Sequence, residues 1–149
     1  MPKPRIIFYH DGRHPLIYMY EPPMQKEEWE SAVDELVGTP VEALMYCLGD
    51  GRTVMHDSEV AELLGENQDR WENLVVRRAY QNPKHLIEEG NDPLRITIEH
   101  AHANGLLLYP MFIVQFGMSS HTERASTFRV ENRHLEIGAS EDVGPDYPG

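Results

Sequence analysis

Two apolar runs along the chain are long enough to predict buried strands. Residues 41–48 and 106–114 are apolar almost throughout, and each run lies close to a glycine. Such continuous runs are typical of parallel strands covered on both faces. Pro110 lies inside the second run and removes a backbone donor, which indicates a bulge or an irregular stretch there.

Between and before these runs, apolar residues recur three and four positions apart, as on one face of a helix. From Lys26 to Leu36, this spacing places Trp29 and Val33 on one buried stripe. The other predicted helices cover 58–64 with Ser58 as cap, 70–80 with Asp69 as cap, and 93–104 with Asp92 as cap. Pro83 is expected to interrupt or restart the second of these, with a short turn over 84–89.

The two ends of the chain carry weaker patterns. Arg5–His10 and Leu16–Tyr20 are strand-like and flank an Asp-Gly turn, which predicts an N-terminal β-hairpin. Residues 128–130 predict a brief strand. From Gly138 onward the periodicity ends, so we expect one domain over 1–137 and a flexible tail over 138–149.

The order of strand 41–48, helices and strand 106–114 predicts an α/β fold with a βαβ core. Two parallel strands would then be joined by a right-handed crossover. Sites in such folds form at the carboxyl ends of the strands. These ends are predicted at 47–56 and at 115–121, and both contain small and hydrogen-bonding residues.

Charge and composition narrow the function classes. The net charge of −12 argues against binding to nucleic acid or to an anionic membrane surface, since both need clustered basic residues. The sequence contains no apolar run long enough for a membrane span and no apolar region of signal-peptide length. The single Cys47 excludes an internal disulfide framework, so we expect a cytoplasmic protein.

The acidic residues are concentrated in one part of the chain. Residues 25–72 hold thirteen acidic and three basic side chains, whereas 73–133 is close to neutral. We expect the acidic stretch to form solvated helix faces.

The segment 49–57 is the sharpest local feature. Its glycines allow a close approach of the backbone, and Asp50, Arg52 and His56 could converge on a hydroxylated or anionic ligand. The alternative is a plain turn in which Asp50 bonds its own backbone. The glycine spacing fits neither a phosphate loop nor a dinucleotide fingerprint.

Histidines suggest other sites, each with a structural alternative. His10 and His14 flank a turn, where they either bind a metal ion or join local hydrogen bonds. Glu99 and His102 share a helix face, but a di-iron site needs a second such pair. Cys47 ends an apolar run, which favours burial. We therefore predict no metal and no cofactor.

Three longer segments carry a family resemblance. The stretches 11–20, 38–51 and 92–105 resemble a bacterial group of uncharacterised glycoside-hydrolase-like proteins with a (β/α)8, or TIM, barrel. The resemblance covers about residues 5–140. It implies that the run through Tyr46 is the first barrel strand and that the chain is the N-terminal portion of a barrel.

The resemblance leads to the first functional hypothesis, a carbohydrate-active barrel fragment that binds sugar at the carboxyl ends of its strands. The predicted sugar-binding residues are Tyr46, Asp50, Arg52, His56 and Gln115, with Tyr46 stacking on a sugar ring. Glycosidases need two carboxyl groups about 5–10 Å apart, and barrel glycosidases of this kind draw them from later strands. The catalytic residues are therefore unknown, and we expect no hydrolase activity from this chain alone.

Two other hypotheses remain open. One is a non-enzymatic binding or assembly module, because a partial barrel exposes strand edges and apolar faces through which it forms an oligomer. The other is a metal site built from His10, His14, His56 or His102.

Overall fold

A computed structural model describes residues 3–50, 53–113 and 125–135 of the chain. They form a small mixed sheet and a layer of helices. The strands are β1 (Ile7–His10), β2 (Ala43–Asp50), β3 (Thr53–Val54), β4 (Glu62–Leu63) and β5 (Leu107–Ile113). The helices are α1 (Lys26–Asp34), α2 (Leu74–Glu88), α3 (Pro93–Ala103) and α4 (Thr127–Glu131), with a π-helical turn at Pro15–Met19 and a 3₁₀ turn at Arg133–Leu135.

Three parallel strands form the main sheet, with β2 in the middle. Ala43 of β2 pairs with Ile7 of β1 on one side and with Leu107 of β5 on the other, and both pairings are parallel. The predicted βαβ core is therefore confirmed. The segment from β1 through α1 to β2 is a second such unit, so the strand of residues 41–48 is the second parallel strand rather than the first.

The predicted N-terminal hairpin is wrong. Leu16–Tyr20 forms no strand; Pro15–Met19 is a π-helical turn, and β1 pairs with β2 instead. Leu16 and Ile17 are buried in the core, and the Asn82 side chain of α2 donates hydrogen bonds to the carbonyls of Leu16 and Tyr20. This segment is thus held by contacts with α2, distant in sequence, and not by the predicted pairing with β1.

Two of the predicted short elements also differ. The Ser58 hydroxyl accepts hydrogen bonds from the backbone of Val60 and Ala61, but it caps only a turn. No helix follows over 58–64, because Glu62 and Leu63 pair with β3. The brief strand predicted at 128–130 is the short helix α4, whose first turn is capped by Ser126.

The longer helices agree better with the sequence. α1 and α3 lie where the periodicity predicts them, and Asp92 accepts a hydrogen bond from the Arg95 amide as the cap of α3. α2 begins at Leu74, capped by Asn73 rather than Asp69, and it continues through Pro83. Pro83 therefore does not interrupt the helix, and the short turn expected over 84–89 is its last part.

The irregularity expected at Pro110 lies on the neighbouring strand instead. Pro110 pairs with Tyr46 in regular register within β5, and the register shifts between Cys47 and Gly49 of β2, where Leu48 is the extra residue. The predicted tail over 138–149 lies outside the described residues.

The helices pack on one face of the parallel sheet. One apolar cluster joins Trp29 and Val33 of α1, Leu44 and Tyr46 of β2, and Ile96 of α3. Side chains alternate between the faces of a strand, so the intervening residues belong to the opposite face. There Tyr9 of β1 and Tyr109 of β5 remain 48% and 42% exposed. This second face, on residues 7, 9, 43, 45, 47, 107, 109, 111 and 113, is here called the bare face. Ala43 and Cys47 at its centre are buried, whereas Ile7, Tyr9, Tyr109 and Ile113 toward its edges are exposed.

Among the described helices, none combines the length and the apolar composition that crossing a bilayer requires.

Candidate functional site

The loop after β1 places a group of polar side chains at the carboxyl end of that strand. It runs from Asp11 to His14, and one oxygen of the Asp11 carboxylate accepts hydrogen bonds from the backbone amides of Arg13 and His14, at 2.9 and 3.2 Å. This Asx-type turn fixes the loop while its carboxylate stays exposed. The loop therefore presents a negative charge in a defined position.

Gly12 allows this loop to lie directly on the central strand. Its φ is +73°, and a Cβ atom built there would come within 2.1 Å of the Cys47 carbonyl oxygen of β2. Only glycine fits both the backbone conformation and the space. The Asp-Gly pair thus serves to pack the loop against β2, not to turn a hairpin.

His10 ends β1 as a buried polar residue. Its Nδ1 accepts a hydrogen bond from the Gly12 amide at 2.9 Å, which leaves the ring proton of the neutral form on Nε2. Burial lowers the pKa of His10, with the opposing effect of the nearby Asp11 charge too small to compensate. The imidazole is therefore neutral near pH 7.

Tyr46 lies in the core rather than at an open rim. Its ring is 2% exposed and packs against His10 and, edge-on, against Trp29. Its hydroxyl lies 3.4 Å from the Gly12 carbonyl oxygen, to which it donates, and burial raises its pKa. Both ring faces are thus covered by protein or closed to solvent, so the ring does not offer the stacking surface that the sequence predicts.

His56 lies near the start of α3. It is half-buried, and its Nδ1 is a buried atom with no hydrogen-bond partner among the described residues. Burial lowers its pKa, while the charges of Asp92 and Asp57 act in the opposite direction. The Asp57 amide donates to the Asp92 carboxylate at 2.9 Å, which joins this loop to the α3 cap.

The other predicted site residues are only partly placed. Asp50 is the last residue of β2, so its backbone lies at the expected end of the sheet, but its side chain is not described. Arg52 and Gln115 lie outside the described residues. No described contact joins Tyr46 to His56, so the structure does not assemble the predicted set around one point.

Exposed side chains next to the Asp11 loop were not among the predicted site residues. Tyr18 of the π-helical turn is 65% exposed, and its ring lies 5.6 Å from that of His14. Tyr9 stands beside this loop on the bare face, where burial raises its pKa. The sequence signal was available, because an Asp-Gly pair directly follows a strand end.

The histidine hypotheses find little support. Across the described ranges, no group of three or more histidine, cysteine or acidic side chains is arranged to hold a metal ion. His102 is exposed on α3. His100, its neighbour, bonds Asp34 of α1 at 2.6 Å and so joins two helices.

A separate groove lies along α2. Its volume is about 330 Å³, and its lining consists of Pro22, Pro23, Arg77, Gln81, Lys84, His85 and Glu88. None of the predicted site residues lines it.

No family model matches the chain, and no curated protein matches it either.

Proposed function

We propose that this chain is a unit of a glycoside-hydrolase-like, TIM-barrel-type fold that binds a neutral carbohydrate at the carboxyl ends of its parallel strands. The supporting observation is the strand order. β1, β2 and β5 lie side by side in the order in which they occur in the chain, with the helices on one face. Consecutive βα units of a barrel are ordered in this way, whereas a doubly wound sheet reverses its order and carries helices on both faces.

The Asp11 loop supplies the chemistry for such binding. A carboxylate held by two backbone amides accepts hydrogen bonds from sugar hydroxyls without moving. An exposed tyrosine ring beside it, Tyr18, offers an apolar surface for a sugar ring face. Binding rather than hydrolysis is proposed, in a cytoplasmic protein without a bound metal or cofactor.

Saturation-transfer NMR with cellobiose, xylobiose and laminaribiose tests the proposal. We expect millimolar binding of at least one disaccharide by the whole chain, with about a tenfold loss, or about 1.4 kcal/mol, in Asp11→Asn and in Tyr18→Ala. Asparagine keeps the Oδ1 acceptor of the turn, so the loop retains its shape. His102→Ala serves as the matched control, because His102 is exposed near the C-terminal end of α3, away from the Asp11 loop. Binding of none of the sugars, or equal binding by all variants, would contradict the proposal.

A second function is favoured by a different observation. The bare face leaves apolar side chains of a parallel sheet exposed, although parallel sheets are normally covered on both faces. We therefore also propose a non-enzymatic assembly module, in which the sheet is completed by another chain through its exposed edges. Sedimentation equilibrium over a hundredfold range of concentration tests this function, and a monomer throughout would exclude it.

A further inference from the structure

β1 forms one edge of the parallel sheet, and both its side chains and its outer backbone groups are accessible. Its only strand partner among the described residues is β2. Four consecutive apolar residues, Ile6, Ile7, Phe8 and Tyr9, are between 38% and 48% exposed. Because neighbouring residues point to opposite faces, partial exposure of all four means that neither face of β1 is fully covered between Ile6 and Tyr9.

The backbone of β1 shows which groups face outward. The Ile6 carbonyl accepts hydrogen bonds from the amides of Glu42 and Ala43, so it points toward β2. Backbone polar groups alternate between the two sides of a strand. The N–H and C=O groups of Ile7 and Tyr9 therefore point away from the sheet and are free for another strand.

The sequence of this edge is complementary to itself when reversed. Residues 5–11 read Arg-Ile-Ile-Phe-Tyr-His-Asp. An antiparallel pairing centred on Phe8 sets Ile7 opposite Tyr9 of the second copy and Phe8 opposite Phe8 of the second copy. The first pair joins a β-branched to an aromatic side chain and the second joins two aromatic side chains, two of the favourable cross-strand combinations.

We propose that β1 pairs with β1 of a second copy, antiparallel and with its two-fold axis at Phe8, to form one continuous sheet with six long strands. The inference rests on the assembly function proposed above and names its partner. Four backbone hydrogen bonds follow from the geometry, because Ile7 and Tyr9 of each copy exchange two with the other. The bare faces of the two copies then become one surface.

The apolar area at this edge of the sheet suits an interface. Ile6, Ile7, Phe8 and Tyr9 leave about 90 Å² each, or about 350 Å² in all, exposed along β1. Monomeric proteins rarely expose contiguous apolar patches of more than a few hundred Å². An interface of standard size takes about 800 Å² from each partner, so these four side chains supply a little under half of one before the backbone is added.

The opposite edge is less suited to pairing. β5 carries Pro110 at its centre, and proline cannot donate to a ladder. Natural proteins use proline in this way to block strand edges. β1 contains no proline between Ile7 and His10.

Cysteine cross-linking in the whole chain tests the pairing. Directly opposed residues of a non-hydrogen-bonded antiparallel pair have Cα atoms about 4.5 Å apart, within the range of a disulfide. In a Cys47→Ala background, we expect Phe8→Cys to give a covalent dimer under a mild oxidant, whereas Phe112→Cys on β5, which is similarly exposed, remains monomeric. Equal cross-linking of the two variants, or none, overturns the proposal.

Sedimentation equilibrium of charge variants provides the second measurement. The native chain should reach twice its mass of 17.2 kDa. Ile7→Lys should raise the dimer dissociation constant at least tenfold, and Val60→Lys, an equal charge change at an 83% exposed valine, should leave it unchanged. A dimer insensitive to Ile7→Lys overturns the β1 pairing but keeps the assembly function. A native chain that is monomeric at all concentrations overturns both and leaves carbohydrate binding untouched.

Discussion

The imidazole of His10 lies stacked on the phenol ring of Tyr46, with ring centroids 5.4 Å apart and planes inclined by 12°. The two residues are register partners on β1 and β2, so the stack joins the edge strand to the central strand. It lies on the face that the helices cover, and Trp29 packs edge-on against the same tyrosine. The end of β1 is therefore held by a buried, titratable side chain.

Stability should fall as the pH is lowered past the ordinary pKa of histidine. Burial holds the pKa of His10 below its usual value of about 6.5, so the unfolded chain takes up a proton first as the pH falls. His10 thus contributes stability above about pH 6.5, and this contribution is lost between that pH and the lowered folded pKa. Urea unfolding at several pH values measures it.

His10→Asn is the matched variant for this experiment, because its Oδ1 can accept from the Gly12 amide but does not titrate. Burial also lowers the pKa of His56, and that effect is common to both proteins. The difference in unfolding free energy between native chain and variant should therefore shrink from pH 7 to pH 5. A constant difference would contradict the assignment to His10.

Gly12→Ala should destabilise the protein much more than Gly38→Ala. Both glycines have positive φ, +73° and +80°, so both variants bear a left-handed backbone cost of about 1–2 kcal/mol. Only at Gly12 does the new methyl group also meet the Cys47 carbonyl; nothing lies within 4 Å of it at Gly38. Chemical denaturation of both variants gives the comparison, and equal losses would be inconsistent with the packing of the loop on β2.

Thr97→Val should cost about 1–3 kcal/mol, although it barely changes the side-chain volume. The Trp29 indole N–H donates to the Thr97 hydroxyl at 2.9 Å, and this hydroxyl donates to the Pro93 carbonyl at 2.9 Å. Valine leaves the indole N–H buried without an acceptor. Thr97→Ser keeps the hydroxyl and should lose less, as measured by thermal or urea unfolding; a serine variant as unstable as the valine variant would argue against the hydrogen bond.

Asn82→Ala should loosen the π-helical turn. The Asn82 amide donates to the carbonyls of Leu16 and Tyr20, at 2.9 and 3.2 Å, from a fully buried position on α2. Removing it leaves two carbonyls without this donor, at about 1–3 kcal/mol. In limited proteolysis, the Asn82→Ala variant should then be cleaved near Tyr18 faster than the native chain. The Gln81→Ala variant, altered on the same helix, should be cleaved at the native rate. Unchanged cleavage of Asn82→Ala would show that other contacts hold the turn.

Much of the central fold could be predicted from local patterns. Short stretches of sequence are sufficient to predict four elements: α1 from its periodicity, α3 from its Asp92 cap, and β2 and β5 from their apolar runs. Local and long-range preferences agree at these positions, so the prediction holds.

The predictions of secondary structure are wrong where contacts between residues distant in sequence determine the local structure. Leu16 and Ile17 look like strand residues, yet Asn82 and the core of α2, more than sixty positions away, hold them in a helical turn. Ser58 is a good capping residue, but its turn leads into the pairing of Glu62 with β3. A single sequence does not display such partners.

The predicted site shows the same limit. Asp50 and the Asp11 loop lie at the carboxyl ends of β2 and β1, the end of the sheet at which the sequence predicts a site. The sequence does not show on which face of its strand each residue lies. Tyr46 points to the helices, whereas Tyr9, which pairs with the residue before Tyr46, points to the bare face. A shift of one position exchanges the two faces of a strand, and the run of residues 41–48 is too uniformly apolar to show which residues face which side.

The order of pairing in the sheet has a consequence for how the chain folds. β2 needs β1 on one side and β5 on the other, and β5 follows only after α2 and α3. Contacts between such distant segments slow folding, because a long loop must close before they form. During synthesis, β1, α1 and β2 leave the ribosome well before β5 does. For that interval the central strand has one free edge, and a chaperone that shields it would be of most use there.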